Sequence, residues 1–195
     1  MSTPVTDPLL AIEETKLPGV VILTPRRFGD DRGFFCESWN SRRMAAAGLD
    51  YDFVQDNHSM SVAVGTLRGL HFQAPPSAQA KLVRCGRGAL YDVAVDIRAG
   101  SPTYGQWVGV ELSCENGRQL MIPRGFLHGF VTRAPMTEII YKCDGFYDAQ
   151  ADGAVHWNDP AIGIDWGLEG DPVLSEKDAK APLLAELGTV FEYGG

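Results

Sequence analysis

The chain has 195 residues, 45% of them hydrophobic, and a formal net charge of −8, which supports one domain with a sizeable core and opposes general binding to nucleic acid or anionic membrane. Residues 1–8 carry no basic or apolar leader pattern, and no run approaches the roughly 20 apolar residues of a membrane-spanning helix, so a cytoplasmic protein is expected. The four cysteines, Cys36, Cys85, Cys114 and Cys143, lie far apart with no CxxC pair, which argues against a disulfide framework or a zinc knuckle and for buried free thiols.

Along the chain, short runs rich in Val, Ile, Leu, Tyr and Phe alternate with glycine and proline punctuation, and no repeat or low-complexity linker divides them. A single domain over 1–195 with short flexible ends follows. The strand candidates in order are Val20–Pro25, Gly33–Ser38, Phe53–Ser61, Lys81–Cys85, Ala89–Arg98, Gln106–Leu112, Gln119–Ile122, His128–Thr132 and Glu138–Asp144. The clearest is Ala89–Arg98, where Leu90, Asp92, Ala94 and Asp96 alternate with Tyr91, Val93, Val95 and Ile97, so one face carries two carboxylates. The connections are too short for crossover helices, and antiparallel pairing is expected. Helix signals are confined to Ser41–Ala47, ended by Gly48, and Ser175–Leu187, ended by Gly188, with Ser175 and Asp178 at capping-box spacing.

Two segments stand out. Gly117–His128 has the form G-x5-PxG-x2-H, and Gly65-TLRGL-His71-Phe-Gln73 supplies G-x5-H-x-Q upstream. They resemble the paired-strand motifs of the cupin superfamily, which implies an all-β, cupin-like antiparallel β-barrel (jelly roll) with a few short helices outside it. Metal-holding cupins present a second histidine where this chain has Gln73. Two imidazoles and an amide are a poor donor set for a transition metal, so no metal is expected. Arg68 and Lys81 lie close to these histidines in sequence, and cations held on barrel strands call for an anionic ligand such as a phosphate.

A narrower resemblance runs from about Val20 to Pro182. The strings FGDDRGFFCES (28–38), FVQDNHS (53–59), LRGLHFQ (67–73), KLVRC (81–85), DVAVDIR (92–98), SPTYGQWVGVELS (101–113), IPRGFLHGF (122–130), YKCD (141–144), WNDPAIGIDW (157–166) and LSEKD (174–178) occur in the order of the dTDP-4-dehydrorhamnose 3,5-epimerase family. The resemblance implies a cofactor-free isomerase acting on a nucleotide-sugar, with His71 as base, Asp178 as its carboxylate partner, Tyr141 as proton donor on the opposite sugar face, and Lys81 steadying the enolate. It further implies that Arg32, Glu37, Gln55, Asn57, Arg68, His128 and Lys177 hold the nucleotide-sugar, and that Tyr147 stacks on thymine. Asp152 stands where the family usually has glutamate, and Tyr147 where phenylalanine is common. Family members are dimers in which an N-terminal segment enters the partner's site, which implies a homodimer with Arg32 acting in trans.

The chemistry asks for the same residue types. Removing a proton beside a ketone near neutral pH needs a base that titrates there and a charge that holds the developing enolate oxygen. Imidazole, oriented by a carboxylate, and an ammonium are suited to those tasks, and inversion needs a second donor across the ring. Each residue has a plainer reading taken alone: Asp178 as a helix cap, Tyr141 as core filling, Lys81 as an edge charge, and Trp157 and Trp166 as core. Three other readings of the whole remain open at this stage. They are a mono-epimerase inverting only C3 or only C5 of a related deoxysugar, a non-catalytic nucleotide-sugar-binding cupin, and a metal-dependent cupin, which Gln73 argues against.

Overall fold

The computed structural model describes residues 7–194; the expectation of flexible ends falls in part on 1–6 and 195, which lie outside the described residues. In chain order the strands are β1 (Leu10–Glu14), β2 (Val21–Pro25), β3 (Arg27–Asp30), β4 (Gly33–Cys36), β5 (Gln55–Ser61), β6 (Leu67–Gln73), β7 (Lys81–Arg87), β8 (Ala89–Asp96), β9 (Arg98–Ala99), β10 (Trp107–Ser113), β11 (Gln119–Ile122), β12 (Phe126–Thr132), β13 (Thr137–Cys143), β14 (Asp152–Ala154) and β15 (Phe191–Glu192). Two helices join them, α1 (Ser41–Ala46) and α2 (Glu176–Ala179).

A six-stranded sheet in the order β1-β2-β11-β7-β13-β5 faces a five-stranded sheet in the order β10-β8-β12-β6-β14. Every pairing within both sheets is antiparallel. The expected jelly-roll architecture is therefore present, with its two sheets hydrogen-bonded separately as a sandwich rather than closed into one ring.

Apolar side chains fill three layers. Between the sheets lie Val83, Leu90, Ala94, Val110, Leu120, Phe126, Phe130 and Ile139. Outside the six-stranded sheet, Leu23, Leu82 and Met121 pack against Met44 of α1 and the Trp39–Phe53 stretch. Outside the five-stranded sheet, Val93, Val95, Leu127 and Val131 are covered by Val155, Ile162, Trp166 and Leu184 from the C-terminal third. Strand β8 is consequently buried on both faces, because its sheet is covered on both sides, and its inward face carries Asp92 and Asp96 among apolar residues. Trp166 is core, as its sequence neighbourhood suggests, and Trp157 packs against the same layer.

Strands β1, β3, β14 and β15 are not among those expected from the sequence, and two further departures shape the region of His71 and Asp178. The helix expected over Ser175–Leu187 stops after Ala179 and gives way to a single 3-10 turn at Leu184–Glu186. Pro182 accounts for this: it has no N–H to continue the ladder and forces Ala181 out of the helical region. The second departure is β6, which was not among the expected strands. Its outward residues Leu67, Leu70 and Phe72 break period two at Gly69. Gly69 has φ of 127°, and a Cβ there would lie 2.6 Å from Gly129 Cα of β12, so only glycine lets β6 and β12 approach so closely. Among the cysteines, Cys85 and Cys143 are buried free thiols as expected, while Cys36 and Cys114 are free but half-buried.

Candidate active site

The close approach of β6 and β12 sets His71 directly opposite His128 in the antiparallel register. Residues 173–178 run past β6: Leu67 N–H donates to Val173 O at 3.0 Å, and Ser175 then caps α2, its Oγ accepting from Asp178 N–H at 3.1 Å. The helix is only four residues long, but its cap brings the Asp178 carboxylate to His71. The distance from His71 Nε2 to Asp178 Oδ1 is 2.6 Å, and Ser175 Oγ donates to Asp178 Oδ2 at 2.9 Å. Asp178 is thus both the residue whose N–H Ser175 caps and the partner of the histidine. Burial pushes its carboxyl up, but the hydrogen bond and charge of His71, with Ser175 and the Gly69 N–H, outweigh that and hold it below the usual carboxylate range. The His71 side chain is 31% exposed and that of Asp178 3%, so the imidazole can meet a ligand while the carboxylate stays dry.

The facing sheet supplies the other groups. Tyr141 on β13 lies between Asn57 of β5 and Val83 of β7 in register, and Lys81, the first residue of β7, places its Nζ 5.9 Å from the Tyr141 ring centroid. Burial lowers the Lys81 pKa, opposed by Cys143, Asp92 and Asp152. Burial raises that of Tyr141, with Cys143 acting in the same sense and Arg68 and Asn57 against it. The phenol therefore keeps its proton to higher pH than free tyrosine.

A second histidine–carboxylate pair lies deeper. His128 Nε2 is 2.8 Å from Asp92 Oδ1, and burial lowers the His128 pKa against the pull of Asp92, with Lys81 and His71 adding to the lowering. Asp92 is fully buried and its Oδ2 has no hydrogen-bond partner among the described residues. The sequence places Asp92 and Asp96 on one face of β8 but does not assign Asp92 to the site. The recurrence of Asp92 and Asp96 among apolar residues at period two fits a solvated strand face equally well, so the sequence alone does not mark it.

Other expected binding residues ring this floor. Arg68 is exposed and touches Ser61 Oγ at 3.3 Å. Asn57 Nδ2 reaches Cys143 Sγ at 3.7 Å and its Oδ1 accepts from Gln55 Nε2 at 3.1 Å. Lys177 on α2 pairs with Asp152 on β14, and the Tyr147 hydroxyl lies 3.5 Å from Asp152 Oδ2 with its ring exposed. Arg32 and Glu37 are not brought to this cluster within one chain: Arg32 sits at the tip of the β3–β4 hairpin paired only with Asp30, and Glu37 pairs with Arg43. The residues also do not fit a divalent metal, since Nε2 of each histidine meets a carboxylate and the Gln73 amide is bonded to loop backbone.

Comparison with known proteins agrees with this geometry. A family model described as dTDP-4-dehydrorhamnose 3,5-epimerase matches residues 14–186. The chain is 54% identical over 177 residues to the dTDP-4-dehydrorhamnose 3,5-epimerase of Salmonella typhimurium, covering 90% of this chain and 96% of that one. It is 53% identical over 184 residues to the enzyme of that name from Sinorhizobium fredii, covering 94% and 92%. The crystal structure of dTDP-6-deoxy-D-glucose-3,5-epimerase from Legionella pneumophila, in complex with dTDP-4-keto-L-rhamnose, superposes with a TM-score of 0.91 at 44% identity, covering 95% of this chain and all of that one.

Proposed function

The chain belongs to the dTDP-4-dehydrorhamnose 3,5-epimerase family, and from that membership we infer that it is the isomerase that inverts C3 and C5 of dTDP-4-dehydro-6-deoxy-D-glucose, giving dTDP-4-dehydro-L-rhamnose for L-rhamnose synthesis. The observation that carries the assignment of roles is the 2.6 Å contact between His71 and Asp178 opposite a sheet bearing Lys81 and Tyr141.

In this reading His71, with its tautomer fixed by Asp178, takes the proton from the carbon beside the C4 ketone. Asp178 stays ionised and stabilises the imidazolium that forms. Charge then moves to the ketone oxygen, where the Lys81 ammonium acts on a group that is more negative in the transition state than in the substrate. Tyr141, protonated and from the facing sheet, delivers the new proton on the other side of the ring. No cofactor is needed, because the ketone itself is the electron sink. His128, Arg68, Gln55 and Asn57 hold the sugar and diphosphate, while Tyr147, Asp152 and Lys177 receive the base.

The functional unit in this reading is a cytoplasmic homodimer of single-domain chains. Among the described residues no helix is long and apolar enough to cross a membrane. Phe28, Phe34 and Phe35 are exposed on the β3–β4 hairpin, the kind of apolar surface that a partner subunit covers, and docking of that hairpin on a second copy carries Arg32 and Glu37 toward the partner's site. The test is proton NMR of the product formed from dTDP-4-dehydro-6-deoxy-D-glucose. The L-configured 4-ketosugar, inverted at both centres, is expected; a product changed at one centre only would reassign the chain to mono-epimerisation.

A further inference from the structure

Gln73, the residue that replaces the second imidazole of a metal-holding cupin, has a use that the reaction leaves unassigned. It is 5% exposed. Its Nε2 donates to Ser77 O at 2.6 Å and to Phe146 O at 3.2 Å, and its Oε1 accepts from Asp148 N–H at 2.7 Å. Both amide hydrogens and the carbonyl are thereby engaged, and two of the three bonds fall on the residues either side of Tyr147.

The stretch from Asp144 to Asp148 has no strand or helix ladder, yet each of its residues is held by a bond that involves a side chain. Asp144 Oδ1 accepts from Ala80 N–H at 2.6 Å, Gly145 O from Gln79 Nε2 at 2.7 Å, and Tyr147 N–H donates to Gln55 Oε1 at 2.9 Å. Ser77 Oγ also donates to Asp148 Oδ2 at 2.8 Å. The outcome is a fixed backbone beneath a ring that is 60% exposed. Gln73 is the side chain that holds this loop on both sides of that ring. Only a primary amide can do so from this position. A carboxylate has no donor for the two carbonyls, and a neutral imidazole offers one donor and one acceptor where three bonds are made.

We propose that Gln73 is a positioning residue for nucleotide recognition, presetting the Tyr147 ring as a stacking face before the ligand arrives. The proposal rests on the reading of Tyr147 as the platform for the base. Its physical content is preorganisation: a loop already ordered loses less freedom when the nucleotide binds, and the saving appears as affinity.

The experiment compares Gln73→Met, Tyr147→Ala and the double variant, using dTDP as the probe for calorimetry and the nucleotide-sugar for kinetics. Gln73→Met is expected to weaken dTDP binding on the order of tenfold and to raise KM by more than it lowers kcat, with faster amide exchange at Asp148. In the Tyr147→Ala background the same change should cost little, because both act through one ring. Wild-type dTDP affinity in Gln73→Met, full additivity in the double variant, or a loss confined to kcat would each overturn the proposal while leaving Tyr147 as the platform. Wild-type affinity in Tyr147→Ala would instead remove the platform itself. If Gln73→Met fails to melt cooperatively, Gln73→Glu serves: it keeps the acceptor for Asp148, loses both donors, and should weaken dTDP binding in the same way.

Discussion

At the scale of single residues the account turns on protonation states that burial has adjusted. In the proposed reaction Lys81 must be charged to hold the enolate, and its pKa is lowered by burial, whereas the Tyr141 phenol is raised by the same cause. As pH rises, Lys81 loses its proton below the 10.5 of free lysine, so kcat should fall on the basic side there, while the raised Tyr141 phenol keeps its proton to higher pH than the 10.0 of free tyrosine. Lys81→Arg keeps the charge in a different shape. It should lower the plateau and abolish that basic limb, as a pH series of single-turnover rates would register; a limb unmoved in Lys81→Arg would assign it to another group. His71, Lys81, Tyr141 and Asp178 were legible in the sequence because each lies inside a string of the family. Asp92 was not, since a carboxylate at period two in a strand looks like a solvated face until its partner His128 is seen 2.8 Å away. Gln73 was legible only as a missing metal ligand. Its bonds go to residues 77, 146 and 148, and no local pattern announces such a pairing.

At the scale of elements, strands with strong alternation matched closely and irregular ones did not. Ala89–Asp96 falls where its alternation puts it, and Gln119–Ile122 where the flanking Gly117 and Pro123 put it. Strand β6 shows no clean alternation because Gly69 interrupts its period, and the capping signal at Ser175 starts a helix that Pro182 cuts short. The end of β8 carries its own prediction. Asp96 is fully buried and accepts from Arg98 Nη2 at 2.7 Å, Ser101 Oγ at 2.6 Å and Thr103 Oγ1 at 2.7 Å, tying β9 and the following turn to the sheet. Burial opposes ionisation, but these donors prevail and take its pKa from 3.8 to about 2. A depressed carboxyl stabilises the fold above its unfolded pKa and loses that contribution as pH falls through the folded one, here between about 4 and 2. Asp96→Asn should therefore cost about 2 kcal/mol at pH 7 by urea titration, with the gap to wild type closing toward pH 2. A gap that is constant with pH would mean that packing, not charge, is what Asp96 supplies.

At the scale of the whole molecule, alternation showed that the strands were two-faced but not which of them share hydrogen bonds, so a closed barrel and a two-sheet sandwich looked alike from sequence. The sandwich matters to the proposed reaction because it divides the residues assigned to it, with His71 and His128 on one sheet and Lys81 and Tyr141 on the other. The hairpin that carries Arg32 lies apart from both. If Arg32 acts in trans, mixing Arg32→Ala with His71→Ala protomers, each inactive alone, should restore about a quarter of wild-type activity, since half the dimers then hold one complete site. Activity that stays at the level of the separate variants would put Arg32 in its own chain's site. The division between sheets is tested most directly by turnover in deuterated water with Tyr141→Phe and His71→Ala, counting deuterium by mass spectrometry and reading configuration at C3 and C5 by NMR. Tyr141→Phe should still take up deuterium, reprotonated from the His71 side with configuration retained, while inversion falls steeply, and His71→Ala should lose both exchange and inversion. Exchange at the wild-type rate in His71→Ala, or inversion of both centres at the wild-type rate in Tyr141→Phe, would contradict the account.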